Sequence, residues 1–271
     1  MSDEAWSDLS TEKTKNPFPL LPSYYKIENM RLKLIACEVL ARELYHLSSF
    51  ANHIIDIELI TKDLHDYPDL LHQTLQDKLN SIQDNYDYIL LGFGLCGNAT
   101  ANLSPPSIPL VIPRVHDCIS LYLGSKERYL EQFYSFPGTY YYSRGWLERR
   151  GQKERKDSIQ DAFIQELQFQ DLARKYGEDN AKYLMEVMGE WQKRYNRAVF
   201  ISMGIGDERE YKEYVASLAQ QNGWCYEELR GSLSLLEKFC NLQLEEENFL
   251  IVYPGNEIQP SYDEKVMISK G

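Results

Sequence analysis

Three of the five cysteines follow apolar runs that are typical of buried β-strands. Cys37 comes directly after LKLIA, Cys96 ends the run YILLGFGLC, and Cys118 closes LVIPRVHDC. Because the carboxyl ends of parallel strands face one crevice in an open α/β sheet, we expect the three thiols to converge there. Convergent thiolates are preferred ligands of zinc and of iron–sulfur clusters. The sequence therefore predicts a metal site built from Cys37, Cys96 and Cys118.

Two cofactors suit this set of donors. Three cysteines without a fourth match a 4Fe–4S cluster that leaves one iron open to a substrate, and we favour this cluster. The alternative is zinc, with an open position or with His116 as the fourth ligand, although His116 and Cys118 would point to opposite faces of an extended strand. A catalytic thiol and plain packing also stay open as interpretations. Cys225 and Cys240 lie in ordinary elements and are expected to be structural.

His116 and Asp117, which immediately precede Cys118, bring further residue types that transfer protons or bind metals. We expect His116 to act as an acid or base, with Asp117 orienting it, unless the histidine is simply satisfied by a backbone carbonyl. Arg144 follows another presumed strand and would grip a carboxylate or phosphate, or else lie at the surface beside core aromatic residues. These three residues are the candidate catalytic groups.

Glycine and asparagine residues flank Cys96, and they would allow the backbone to lie close to a bulky cofactor. Gly94 and Gly97 allow the backbone to come close to a ligand, and with Asn98 they are the candidate cofactor-binding residues. Two further turns resemble ligand-binding motifs only in part. MGIGD at 203–207 lacks the full dinucleotide-binding pattern, and RGS at 230–232 either holds an anion or caps a helix.

The elements that must position these residues alternate between strand and helix. Residues 29–150 and 198–271 both show this alternation, which predicts an α/β fold with two Rossmann-like parallel-sheet lobes and a cleft between them. Residues 151–197 carry no strand pattern and predict a helical connection, with helices over 158–176 and 179–195. Residues 1–28 form an N-terminal arm whose FPLLPSYY segment either packs on its own domain or clips onto another copy in a homo-oligomer.

The amino-acid composition restricts the kinds of binding partner that we expect. The net charge of −12 and the isoelectric point near 5.0 argue against nucleic acid and anionic membranes, which would repel the chain. No apolar run approaches the length of a membrane-spanning helix, and five cysteines do not indicate a secreted disulfide framework. We expect a cytoplasmic protein that acts on a small molecule.

Several longer segments resemble the DUF1638 family. They are CEVLARELY, LLGFGLCGN, VIPRVHDCISLYLGSKERY, PGTYYYSRGWLE and YPGNEIQPSYD. The resemblance extends from Arg31 to the C-terminus and implies that Cys37, Cys96, His116, Asp117 and Cys118 lie at the family's motif positions. It also implies a link to corrinoid methyltransferase systems. A second hypothesis is therefore a zinc- or cofactor-binding accessory protein of one-carbon metabolism without turnover of its own.

Overall fold

A five-stranded sheet forms the centre of the computed structural model, which describes residues 30–82, 85–149, 173–174, 177–178 and 195–271. The strand order is β2-β1-β3-β4-β8, in which the first four strands are parallel and β8 is antiparallel to β4. These strands are β1 (Arg31–Cys37), β2 (Ile54–Ile60), β3 (Tyr88–Gly92), β4 (Leu110–Pro113) and β8 (Phe249–Val252).

A second, three-stranded sheet is entirely parallel and has the order β5-β6-β7. Its strands are β5 (Thr139–Ser143), β6 (Arg197–Ser202) and β7 (Cys225–Arg230). A small antiparallel pair, β9 (Glu257–Pro260) and β10 (Met267–Lys270), ends the chain. The predicted α/β class with parallel strands is therefore confirmed.

Seven α-helices are found in the described part of the chain: α1 (Ala41–Ser48), α2 (Pro68–Ser81), α3 (Cys118–Leu123), α4 (Lys126–Ser135), α5 (Arg144–Glu148), α6 (Arg209–Asn222) and α7 (Ser234–Cys240). Two 3₁₀ turns, Glu38–Leu40 and Lys62–Asp66, follow β1 and β2. The helix α2 buries Leu71, Leu75 and Leu79 as one stripe, in keeping with their helical spacing. None of the described helices has the length and apolar character needed to cross a membrane.

The strands of both sheets contribute to one main core. Fully buried residues of the first sheet, such as Leu34 and Leu90, belong to the same hydrophobic cluster as Val199 and Ile201 of β6. A smaller cluster around Phe200 and Val215 lies between the second sheet and α6. Burial on both sides explains why β3, β4 and β6 are nearly continuous apolar runs.

Strand pairing mixes the two predicted lobes. The strand β5, from residues 29–150, pairs with β6 of residues 198–271, and β8 crosses in the other direction to pair with β4. The physical reason is that β4 and β5 each need a partner for their backbone groups, and the later strands supply one. The N-terminal arm, and nearly all of the 151–197 connection with its two expected helices, lie outside the described residues.

Candidate functional site

The three cysteines follow three neighbouring parallel strands of the first sheet. Cys37 is the last residue of β1, Cys96 comes four residues after β3, and Cys118 comes five residues after β4. The side chain of Cys37 is buried, and Cys96 and Cys118 are half-buried. The carboxyl edge of the sheet thus carries all three thiols, in the position where α/β sheets bind ligands.

Two loops at this edge are fastened to each other. The amide of Leu95 donates to the carbonyl of Val115 at 3.0 Å, and the amide of Cys96 donates to the carbonyl of His116 at 2.9 Å. Gly94 makes this approach feasible, because a Cβ there would lie 2.7 Å from the backbone nitrogen of Asp117. The loop after β3 therefore holds Cys96 against the segment that carries Cys118.

Three consecutive residues in that loop have left-handed backbone conformations. The φ angles are 47° at Cys96, 67° at Gly97 and 69° at Asn98. Glycine and asparagine tolerate this region, but a cysteine there costs roughly 1–2 kcal/mol. Strain of this kind persists where the surrounding structure fixes it, and it clusters at functional sites. A Cβ on Gly97 would meet open space, so this side of the loop is accessible.

The thiols influence one another electrostatically. Burial raises the pKa of Cys37 to about 11 and that of Cys96 to about 12, and it raises the pKa of Cys118 well above its usual value. The charge on Cys37 further raises the pKa of the other two, and Cys96 does the same to Cys118. Burial is the largest cause of the raised pKa in all three thiols, and it favours the protonated form of each.

His65 is a member of this neighbourhood that the sequence analysis did not identify. Its Nε2 lies 3.3 Å from the sulfur of Cys37, and its ring stacks on Phe93 with a centroid distance of 6.1 Å. Burial lowers the pKa of this half-buried histidine. A signal existed in the sequence: β2 also ends at the carboxyl edge, at Ile60, and His65 follows it by five residues.

Lys62, in the same 3₁₀ turn, is the second residue that the sequence analysis missed. It is buried, its Nζ lies 4.9 Å from the centre of the Trp146 ring, and its charge lowers the pKa of Cys37. A cation near the thiols favours any anionic group that forms at the site.

His116 and Asp117 lie at this edge but face different surroundings. His116 is exposed, and its backbone carbonyl is the group that accepts from Cys96. Asp117 caps α3 by accepting from the amides of Ile119 and Ser120. Burial raises the pKa of Asp117, and these amides and the hydroxyl of Tyr129 partly offset the rise. Asp117 thus orients the helix that begins with Cys118, while His116 is the group open to solvent.

Arg144 lies at the end of β5, and its charge is already engaged. Its Nε donates to Glu148 at 2.7 Å, and its Nη1 donates to the carbonyl of Ile205 at 3.0 Å. Arg42 also binds Glu148, through two hydrogen bonds of 2.6 Å. The arginine is therefore part of an ion-pair cluster at the carboxyl edge of the second sheet.

The donor set suits a thiophilic metal, yet the thiols do not form a ready-made site. In the described part of the chain, no group of three or more His, Cys, Asp or Glu side chains has an arrangement that could hold a metal ion. Three thiols with an imidazole beside them are nevertheless the ligand types that zinc and iron–sulfur clusters take. Binding would require deprotonation of the thiols and local adjustment of the loops that carry them.

The comparisons with known proteins give one match. A family model described as "Protein of unknown function (DUF1638)" matches residues 59–240. This range contains Cys96, His116, Asp117 and Cys118, whereas Cys37 and the late YPGNEIQPSYD segment lie outside it. No curated protein and no solved structure shows significant similarity to the chain.

Proposed function

Because the chain belongs to the DUF1638 family, whose description assigns no activity, we propose a function from the chemistry of Cys37, Cys96 and Cys118, which we call the thiol site. On this proposal Cys37, Cys96 and Cys118 hold a 4Fe–4S cluster, and the protein is a metalloenzyme acting on a small molecule. The substrate would bind at the carboxyl edge of the first sheet, where the three thiols lie.

The observation that carries this proposal is that the three thiols follow neighbouring parallel strands at one edge of the sheet, with the amide of Cys96 bonded to the segment that carries Cys118. Burial raises the pKa of all three thiols. A nucleophilic thiol needs a lowered pKa, so the surroundings disfavour the catalytic-thiol alternative. Simple packing does not explain why Cys96 occupies a left-handed conformation beside two glycines. A metal reconciles these features, because it deprotonates the thiols that bind it.

A bound cluster with three thiolate ligands would supply an iron with an open position, which acts as a Lewis acid toward an oxygen or sulfur atom of a substrate. Around it, this chain would contribute several groups. Lys62 would offset part of the negative charge of the thiolates, and Asp117 would hold α3 so that Cys118 faces the site. His116, which is exposed at the rim, would exchange a proton with the substrate.

A second candidate is a Cys₃His zinc site, and the position of His65 favours it. His65 lies 3.3 Å from the sulfur of Cys37, whereas no side-chain contact of His116 with the thiols is found in the described structure. If zinc is the metal, His65 is therefore the fourth ligand in place of His116. Such a closed site would be structural or would serve delivery of a cofactor.

Anaerobic purification, followed by absorption spectroscopy and by iron, sulfide and zinc analysis, tests the proposal. We expect a brown protein that contains iron and sulfide, since thiolate-ligated clusters absorb visible light and zinc does not. Cys96→Ala should lose most of the cluster, and His116→Ala should retain it. Cys225→Ala is the matched control, because Cys225 is exposed in β7 and should leave the metal content unchanged.

Each outcome decides between the candidates. Stoichiometric zinc that His65→Ala releases and His116→Ala does not would replace the iron–sulfur proposal with the zinc site. Protein that contains neither metal after anaerobic purification and reconstitution would overturn both. Loss of metal in Cys225→Ala would show that the wrong thiols have been grouped.

A further inference from the structure

A cavity of about 600 Å³ lies at the carboxyl ends of β6 and β7 in the second sheet. Its volume falls within the range of small-molecule sites, and its position obeys the rule that ligands bind beyond the carboxyl ends of parallel strands. The last residues of β6 and β7 and the turn after β6 line it: Ser202, Met203, Gly204, Glu228, Leu229 and Arg230. The thiol site does not include any of these residues.

The acidic groups next to the cavity are already engaged. Glu228 pairs with Lys212 at 2.8 Å and accepts from the hydroxyl of Tyr226 at 3.0 Å. Glu208, at the end of the turn, accepts from the hydroxyl of Ser202 and from the amide of Met203. Lys212 is the cation near both carboxylates, since its Nζ also lies 3.9 Å from Glu208.

Arg230 is the basic residue that lines the cavity. In the described residues no carboxylate pairs with its exposed guanidinium, and its carbonyl accepts from Nη2 of Arg128 at 2.9 Å. Nη1 of Arg128 donates to the carbonyl of Leu123 at 2.6 Å, and Arg128 likewise has no acidic partner in the described residues. Arg230 is therefore a cation without a carboxylate partner in the described residues, and it lines a cavity of a chain whose net charge is −12.

The remaining wall is apolar and fixed in place. Met203 and Leu229 are half-buried and pack against the main core. The chain directly after Arg230 is held tightly, because a Cβ on Gly231 would lie 2.1 Å from the sulfur of Met203 and 2.8 Å from the carbonyl oxygen of Tyr122. Arg230 therefore lines a cavity whose apolar wall is formed by Met203 and Leu229.

We propose that this cavity binds a small organic anion whose carboxylate or phosphate pairs with Arg230 and whose apolar body lies on Met203 and Leu229. Guanidinium is suited to both anions because it donates two parallel hydrogen bonds. This cavity and the thiol site lie at opposite ends of α3. Cys118 begins the helix, whereas Tyr122, which contacts the chain beside the cavity, is near its end. Binding here does not depend on a metal.

An NMR titration of the full chain with sodium hexanoate tests the proposal, with 1-hexanol and inorganic phosphate as probes that each lack one feature. We expect hexanoate to bind with a dissociation constant that is roughly millimolar, as suits a ligand of this size. Hexanol and phosphate should each bind at least tenfold more weakly. Arg230→Gln should weaken hexanoate binding at least tenfold.

Arg209→Gln is the matched control, because Arg209 is an exposed arginine at the start of α6 that pairs with Asp207 and does not line the cavity. It should bind hexanoate like the wild type. Circular dichroism establishes that both variants are folded. No hexanoate binding to the wild type, equal binding to Arg230→Gln, or equal binding of either incomplete probe would overturn the proposal.

Discussion

Glu43 is a buried acid in α1 whose surroundings favour the neutral form. Its side chain is 2% exposed, and Oε2 has no hydrogen-bond partner within the described structure. Burial raises its pKa from 4.5 to about 7, with a further contribution from the charge of Glu208 that Arg42 partly offsets. This carboxyl therefore carries a proton at a pH where an exposed glutamate does not.

The protonation of Glu43 predicts a pH-dependent stability. Below a pH of about 4.5 the group is protonated in both the folded and unfolded chain and contributes nothing. Between 4.5 and about 7 only the unfolded chain ionises, so the free energy of unfolding falls as the pH rises, by about 3 kcal/mol in all. Urea unfolding of the wild type and of Glu43→Gln at pH 5 and pH 8 should show that the variant loses most of this decrease.

The exposed Glu213→Gln is the control for that measurement, and it should keep the wild-type pH dependence. If Glu43→Gln also keeps it, Glu43 ionises normally in the folded chain and the assignment is wrong.

At the level of elements, the strands of the two larger sheets and the longer helices could be predicted from the sequence, whereas the short strands β9 and β10 and two short helices were not predicted. The runs IIDIELI at 54–60 and FLIV at 249–252 predict strands from their β-branched and apolar residues, and β2 and β8 have these bounds. The helices α3 and α5 have only six and five residues, too few to show a period or to form alone. Their caps, Asp117 and Ser143, are what stabilise them.

Glu148 connects three helices. It ends α5 and accepts from Arg144 in the same helix, from Arg42 of α1 and, at 3.2 Å, from the hydroxyl of Tyr211 of α6. The cluster therefore joins an element that follows β1 to elements of the second sheet.

Removing this carboxylate should loosen the junction. Glu148→Ala leaves two partly buried guanidinium groups without their counter-charge, so we expect the free energy of unfolding to fall by about 3 kcal/mol. Asp207→Ala removes an ion pair with the exposed Arg209 and should cost less than about 0.5 kcal/mol. Chemical denaturation measures both. Equal losses in the two variants would mean that the cluster does not join the elements as described.

At the level of the whole molecule, the rule for strand ends predicted that Cys37, Cys96 and Cys118 lie at the carboxyl edge of one sheet, because it depends only on strand order and direction. The close approach of the three sulfurs stays a prediction. His65 follows the same rule, because it comes five residues after the carboxyl end of β2, but a lone histidine in a polar turn has no distinctive pattern in the sequence. The pairing of strands that are far apart in the sequence could not be predicted either. Nothing in the composition of β5 shows that it pairs with β6 instead of extending the first sheet.

The exchange of strands between the predicted lobes has a measurable result. A fragment of residues 29–150 would contain β5 without β6 and β4 without β8. We expect this fragment not to unfold cooperatively in a thermal scan followed by circular dichroism, whereas the full chain should show a cooperative transition. A fragment with a sharp transition and native-like β content would show that the first lobe folds on its own.

The pairing of β4 with β8 also sets an order of events during synthesis on the ribosome. Residues 110–113 emerge long before residues 249–252, and at ordinary elongation rates the interval is roughly ten seconds. During that time the buried side chains of β4 and one row of its backbone groups have no partner, which invites pairing with another nascent chain. Chaperones that shield hydrophobic strands would act on this protein in that interval, before the C-terminal residues close the sheet.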